Sequence, residues 1–106
     1  MKYNIETLRM IKDAAAAENS RLYDAMSINS GLAAEGLITR ADAEKINAAI
    51  RPKAEKAGAI VAAAGHALAN AIEAVAPALP FAPAPKPLTD EEKALIVEGD
   101  ERYLSC

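Results

Sequence analysis

The sequence predicts an all-α protein, a helical hairpin or small open bundle followed by an extended proline-rich arm and a short C-terminal helix. Three observations support this fold class. Alanine, a strong helix former, dominates the 52% of residues that are hydrophobic. Apolar residues recur at spacings of three and four in two long segments. All but one of the six prolines fall between Pro77 and Pro87.

The first helix is expected from Ile5 to about Ile28, with Asn4 as its N-cap. Glu18 and Asn19 interrupt its apolar stripe and either fix the register with a neighbouring helix or lie at the edge of the stripe. Polar residues and glycine after Met26 predict the end of the helix. The stripe consists of Leu8, Ile11, Ala15, Leu22 and Met26. The residues predicted to end the helix are Ser27, Asn29, Ser30 and Gly31. A second possible contact face consists of Met10, Ala14, Ala17 and Ile28.

The second helical segment begins with a strong start signal. Thr39 precedes Asp42 by three residues, which is a variant of the capping box, and Gly36 in the preceding loop is suited to a positive φ. Ile46 and Ile50 continue one face of this helix. Pro52 either separates two helices or kinks one long helix, and the uninterrupted helix-forming sequence around it favours the kink.

From residue 54 to residue 76 apolar residues recur with heptad-like spacing and form a narrow stripe. Gly58 and Gly65 flank it, and close approach of another helix is a plausible reason for glycine there. The stripe consists of Ala57, Val61, Ala64, Leu68, Ile72 and Val75.

The proline-rich segment, residues 77–88, favours an extended polyproline arm, and Leu79, Phe81 and Leu88 are its apolar side chains. Thr89 to Glu92 then forms a second capping box, opening a short helix that ends near Glu98 with Gly99 as its stop. Such a short helix must dock, either on its own bundle or on another chain. Three regions follow: a helical domain (1–76), the arm (77–88), and a terminal helix with an acidic tail containing Tyr103 and Leu104 (89–106).

At 106 residues the chain is one domain at most, and its small side chains bury little area. We therefore expect a protein partner, either copies of the same chain in a homo-oligomer or a multi-protein complex. The predicted partner-binding residues are Val61, Ala64, Leu68, Ile72, Val75, Leu79, Phe81, Leu88, Leu95 and Ile96.

Catalytic and ligand-binding chemistry has little support in the sequence. His66 is the only histidine and lies opposite the apolar stripe, near Asn70 and Glu73, so we expect an exposed or partner-facing residue and no metal or cofactor. Cys106 is the only cysteine, which excludes an internal disulfide and leaves a link between chains as an alternative. Without a basic stripe and with a net charge of −3, nucleic acid is not an expected ligand.

These observations favour a non-enzymatic structural or assembly protein, for example a minor component of a tailed bacteriophage virion. Two alternatives remain open: a small cytosolic adaptor or regulator that binds one protein, and a membrane-active helix in residues 57–79. Polar residues inside that segment favour a soluble helix. With no secretion signal in the sequence, we expect the cytoplasm or a virion as its location.

Overall fold

Two long helices form the predicted hairpin, and a short third helix folds back on it. The computed structural model describes residues 3–75 and 86–104, although the side chains of residues 73–75 are outside this description. The helices are α1 (Ile5–Ala34), α2 (Arg40–Val75) and α3 (Asp90–Gly99), and α3 continues into a π-helical turn, Asp100–Leu104. The described part of the chain contains no strand, so the all-α prediction is confirmed.

Helix α1 continues past the predicted stop at Ile28 and ends at Ala34. The polar residues expected to terminate it instead contact α2: Asn29 donates to Asn47 Oδ1 at 3.1 Å, and Ser30 accepts from Asn47 Nδ2 at 3.4 Å. Termination occurs at Gly36, whose φ of 79° confirms the predicted positive value. The polar residues near Ile28 therefore join the two helices and do not end the first one.

Helix α2 is continuous through Pro52, which agrees with one long helix and not with two separate helices, while the kink at Pro52 stays a prediction. Proline removes the hydrogen bond to the carbonyl four residues earlier, which here belongs to Ala48. Both Pro52 and Ala48 are exposed, so water can solvate the carbonyl that lacks its helical partner.

The main core lies where α3 packs across the open end of the hairpin, away from the α1–α2 loop. Its buried members come from all three helices and comprise Leu8, Ile11, Ala15, Ile60, Ala63, Ala64, Ala67, Leu68 and Ile96. The terminal helix therefore docks on its own chain, which was one of the two options left open. The capping box at its start is confirmed, with Glu92 N–H donating to Thr89 Oγ1 and Thr89 N–H donating to Glu92 Oε1.

Gly99 has a different role from the predicted helix stop. The backbone stays helical at Asp100, and a β-carbon added at Gly99 would lie 2.7 Å from Ile11 Cγ2 and 2.9 Å from Ile60 Cγ2. Gly65, expected to allow close helix approach, has only an ordinary contact with Lys12 at 3.9 Å, and the neighbour at Gly58 is the Asn19 amide at 3.2 Å. The distance at Gly58 is shorter than an ordinary contact, so the expected close approach occurs at Gly58 and not at Gly65, and an even closer approach occurs at Gly99 on α3.

The two-helix part of the hairpin, residues 21–53, is here called the stem. The hydrogen bonds and ion pairs that join the C-terminal part to the hairpin involve residues from Tyr3, just before α1, to Glu18 on α1, and from Lys56 to Asn70 on α2. Inside the stem the helices pack through small or polar buried residues such as Ala43 and Asn47. The described residues place no third helix over the stem.

Candidate functional site: the uncovered face of the stem

Most of the predicted partner-binding residues that the structure describes are engaged within the chain itself. Ala64, Leu68 and Ile96 are buried in the core, because α1 and α3 both pack against α2 there. Val61, Leu88 and Leu95 are half-buried against that core, and Ile72 is 41% exposed. The side chain of Val75, together with Leu79 and Phe81 in the proline-rich segment, lies outside the described residues.

His66 lies in a polar clasp that joins α2 to the start of α3. Its Nδ1 is 2.6 Å from Glu92 Oε2 and its Nε2 is 3.1 Å from the carbonyl oxygen of Lys86, which also accepts from Asn70 Nδ2 at 2.6 Å. Because both ring nitrogens face acceptors, only the doubly protonated ring donates both hydrogen bonds. The arrangement occupies both nitrogens and fastens the segment before α3 onto α2.

The pKa of the Glu92 carboxyl is lowered from its usual value, mainly by the Thr89 backbone N–H and next by the hydrogen bond with His66. The Thr89 hydroxyl accepts from the Glu92 N–H, so it too is part of the helix cap. Within the described residues, no three His, Cys, Asp or Glu side chains are grouped to hold a metal ion. The hydrogen bond between His66 and Glu92 fastens the start of α3 to α2, and the hydrogen bond between Thr89 and Glu92 caps α3.

The most distinctive exposed surface is a ridge on α2 within the stem. Its exposed part, here called the α2 ridge, consists of Asp42, Ile46, Ala49 and Lys53. Their spacing of four, three and four residues places them on one side of the helix, and Ile46 is 44% exposed. The same side of α2 continues into Lys56 and Ile60, which α3 covers: Glu98 forms a 3.2 Å ion pair with Lys56, and Gly99 packs against Ile60.

Helix α1 contributes an exposed edge on the same side of the hairpin. Ile28, 62% exposed, lies on the face that also carries Ala14, Ala17 and Arg21. That face was noted in the sequence as a second contact surface. Near the end of the C-terminal turn it borders a depression of about 350 Å³ lined by Ala14, Ala17, Glu18, Arg21 and Tyr103.

Tyr103 closes the depression at the end next to α3. Its hydroxyl is buried with no hydrogen-bond partner among the described residues. Burial is the main cause that raises the pKa of this hydroxyl, and the nearby Glu18 carboxylate acts in the same direction. Just before α1, the Tyr3 hydroxyl donates to Asp100 Oδ2 at 3.4 Å, and the pKa of Tyr3 is raised by burial and by that carboxylate.

The opposite side of the stem is more polar. A depression of about 210 Å³ near the loop is lined by Ser30, Ala33, Ala34, Arg40, Ala43, Glu44 and Asn47. The sequence pattern indicates Ile46 only as a continuation of a helix face and does not single out the ridge or Asn47. The spacing of four, three and four residues is visible in the sequence, but only the position of α3 shows that the ridge is covered at Lys56 and Ile60 and exposed from Asp42 to Lys53.

Comparisons with known proteins found no matching family model, no matching curated protein and no matching solved structure. Among the helices described, none combines the length and apolarity needed to cross a lipid bilayer.

Proposed function

We propose that this protein is a non-enzymatic assembly component that associates with protein through the uncovered face of its stem. The observation that carries the proposal is the exposure of Ile28 and Ile46 on one side of the stem, where residues 3–75 and 86–104 place no third helix. In the three-helix part of the chain, the corresponding side of α2 is covered by α3. A partner helix seated on the stem provides the equivalent cover.

The energetics of the stem support this proposal. Ala43 and Asn47 are the buried residues of the stem, and they contribute little apolar area because one side chain is small and the other is polar. Leu22, Met26 and Ile50 are only half-buried, and Ile28, Ile46 and the loop residue Leu37 are exposed, with Leu37 67% exposed. Single exposed apolar residues are normal, but their alignment on one uncovered side favours an interaction surface.

The test is the molar mass in solution, measured by sedimentation or light scattering from about 1 to 500 µM, the range in which association of modest affinity is detected. We expect a mass above the 11.1 kDa of one chain, rising with concentration. The double substitution Ile28→Ser and Ile46→Ser should return the mass toward that of the monomer with helicity unchanged. Tyr23→Ser is the matched control, because Tyr23 is 47% exposed on a different face of α1.

A monomeric wild type throughout this range, or a double variant that associates as strongly as the wild type, would contradict association through this face.

A further inference from the structure

We propose that the partner of the stem is a second copy of this chain, packed antiparallel with α2 against α2 across a two-fold axis. This inference rests on the proposed function and adds the identity and geometry of the partner. It is supported by the charge pattern of the α2 ridge. Neither Asp42 nor Lys53 forms an ion pair within the described residues.

The α2 ridge is complementary to itself when it is reversed. Placed antiparallel, Asp42 lies opposite Lys53 of the second copy and Ile46 lies opposite Ala49 of the second copy. Both pairs have the same midpoint, between residues 47 and 48, so a single two-fold axis generates both, and each contact occurs twice. A large residue facing a small one also allows the two helices to interdigitate.

The register of the hairpin then places α1 on the same axis. Asn29 contacts Asn47 and Asn19 contacts the carbonyl of Ala54, so residues 47–48 of α2 lie level with about residues 27–28 of α1. Ile28 is therefore almost on the axis and meets Ile28 of the second copy. The most exposed large apolar residue of α1 is thus paired without any further adjustment.

The same axis also predicts what fills the depression beside Tyr103. Leu37 is about ten residues from the axis, roughly 15 Å at 1.5 Å per residue. Leu37 of the second copy then lies level with residues 17–18 of α1, at the centre of the depression lined by Ala14, Ala17, Glu18 and Arg21. The 67% exposed leucine at the loop thereby reaches a partly apolar depression, and Glu35 of the second copy comes close to Arg21.

The opposite face of α2 provides a stringent control. Glu44 and Arg51 are also exposed and have the same midpoint between residues 47 and 48. They lie on the polar side of the stem, where Glu44 borders the other depression. Since the apolar residues Ile28 and Ile46 are on the ridge side, the proposal requires contact through Asp42 and Lys53 and not through Glu44 and Arg51.

The experiment is oxidative cross-linking of full-length chains that carry Cys106→Ser. The variant Asp42→Cys with Lys53→Cys should form a covalent dimer, because each cysteine faces its counterpart across the axis. Asp42→Cys alone or Lys53→Cys alone should not form a covalent dimer. Residue 42 of one chain lies eleven positions, about 16 Å along the helix, from residue 42 of the other chain, and the same holds for residue 53. The control Glu44→Cys with Arg51→Cys should remain unlinked.

Charge reversal gives a second, independent measurement. Asp42→Lys alone should weaken dimerisation about tenfold or more by facing like charges twice, and so should Lys53→Asp alone. The double exchange should restore the dissociation constant to within about threefold, because it recreates both pairs. Equal weakening by the single and double variants overturns the proposed pairing.

The outcomes separate this inference from the proposed function. Cross-linking by Asp42→Cys alone, or by the Glu44 and Arg51 control, with the oligomeric mass retained, overturns the antiparallel ridge geometry but leaves stem-mediated assembly in place. A monomeric mass at every concentration overturns both.

Discussion

Gly99 is the position at which a single added methyl group should reveal how closely α3 packs on the hairpin. In Gly99→Ala the new β-carbon lies 2.7 Å from Ile11 Cγ2 and 2.9 Å from Ile60 Cγ2, whereas favourable carbon contacts are roughly 3.5–4.0 Å. Both isoleucines are fully buried and β-branched, so neither methyl group can rotate away freely. The helix must therefore move outward by a substantial fraction of an ångström.

The magnitude follows from two opposing contributions. Overpacking of this kind costs about 1–3 kcal/mol, while replacing a helical glycine by alanine returns at most about 1 kcal/mol. We expect Gly99→Ala to lower the free energy of unfolding by about 1–2 kcal/mol, measured by urea denaturation followed by circular dichroism. Gly65→Ala is the matched control and should stabilise by up to about 1 kcal/mol, since its added β-carbon meets only Lys12 at 3.9 Å.

A double-mutant cycle tests the cause. In the Ile11→Ala background one of the two opposing methyl groups is absent, so the cost of Gly99→Ala should fall. If Gly99→Ala is as stable as wild type, or if its cost is unchanged when Ile11 is truncated, the close contact is not the reason for glycine at this position.

Four further predictions test other parts of the structure. Ile96→Ala should cost about 2–4 kcal/mol and should expose the C-terminal helix to limited proteolysis; unchanged protection would show that α3 is held mainly by polar contacts. Asn47→Ala should lower the free energy of unfolding by about 1–3 kcal/mol in thermal or urea denaturation, since it leaves the Met26 carbonyl and the Asn29 amide with fewer hydrogen-bond partners in a largely buried layer. An unchanged free energy would mean that water replaces the hydrogen bonds of Asn47. Tyr103→Phe should be neutral or stabilising by up to about 1 kcal/mol because it removes a buried hydroxyl to which the described residues supply no hydrogen-bond partner; clear destabilisation would reveal a hydrogen bond to that oxygen. Because folding lowers the pKa of Glu92, the stabilisation by its carboxylate is present above the ordinary pKa of 4.5 and is lost as the pH falls through the folded pKa. Hydrogen exchange of the α3 amides should therefore become faster in acid. In Glu92→Gln the exchange should already be faster at neutral pH and should change less in acid.

The sequence by itself determined the local features of this protein. Asn4 and the Thr89 capping box start helices where expected, because their side chains satisfy backbone N–H groups within a few residues. Gly36 takes the positive φ expected of it in the loop, although the end of α1 itself was expected earlier, near Ile28. Each of these outcomes depends on interactions over one turn of chain, which is the range that a single sequence reports directly.

Only the tertiary structure decided which apolar residues are internal and which remain at the surface. Ser30 and Asn29 are turn-forming residues by local preference, yet α1 continues through them because Asn47 on α2 supplies hydrogen-bond partners. Likewise, the heptad stripe containing Ala64 and Leu68 was identified correctly as an apolar face, but α1 and α3 of the same chain occupy it. The physical reason is that burial depends on contacts between residues far apart in sequence. Helix α3 folds back and buries one half of the hairpin, whereas the described part of the chain places no third helix on the stem.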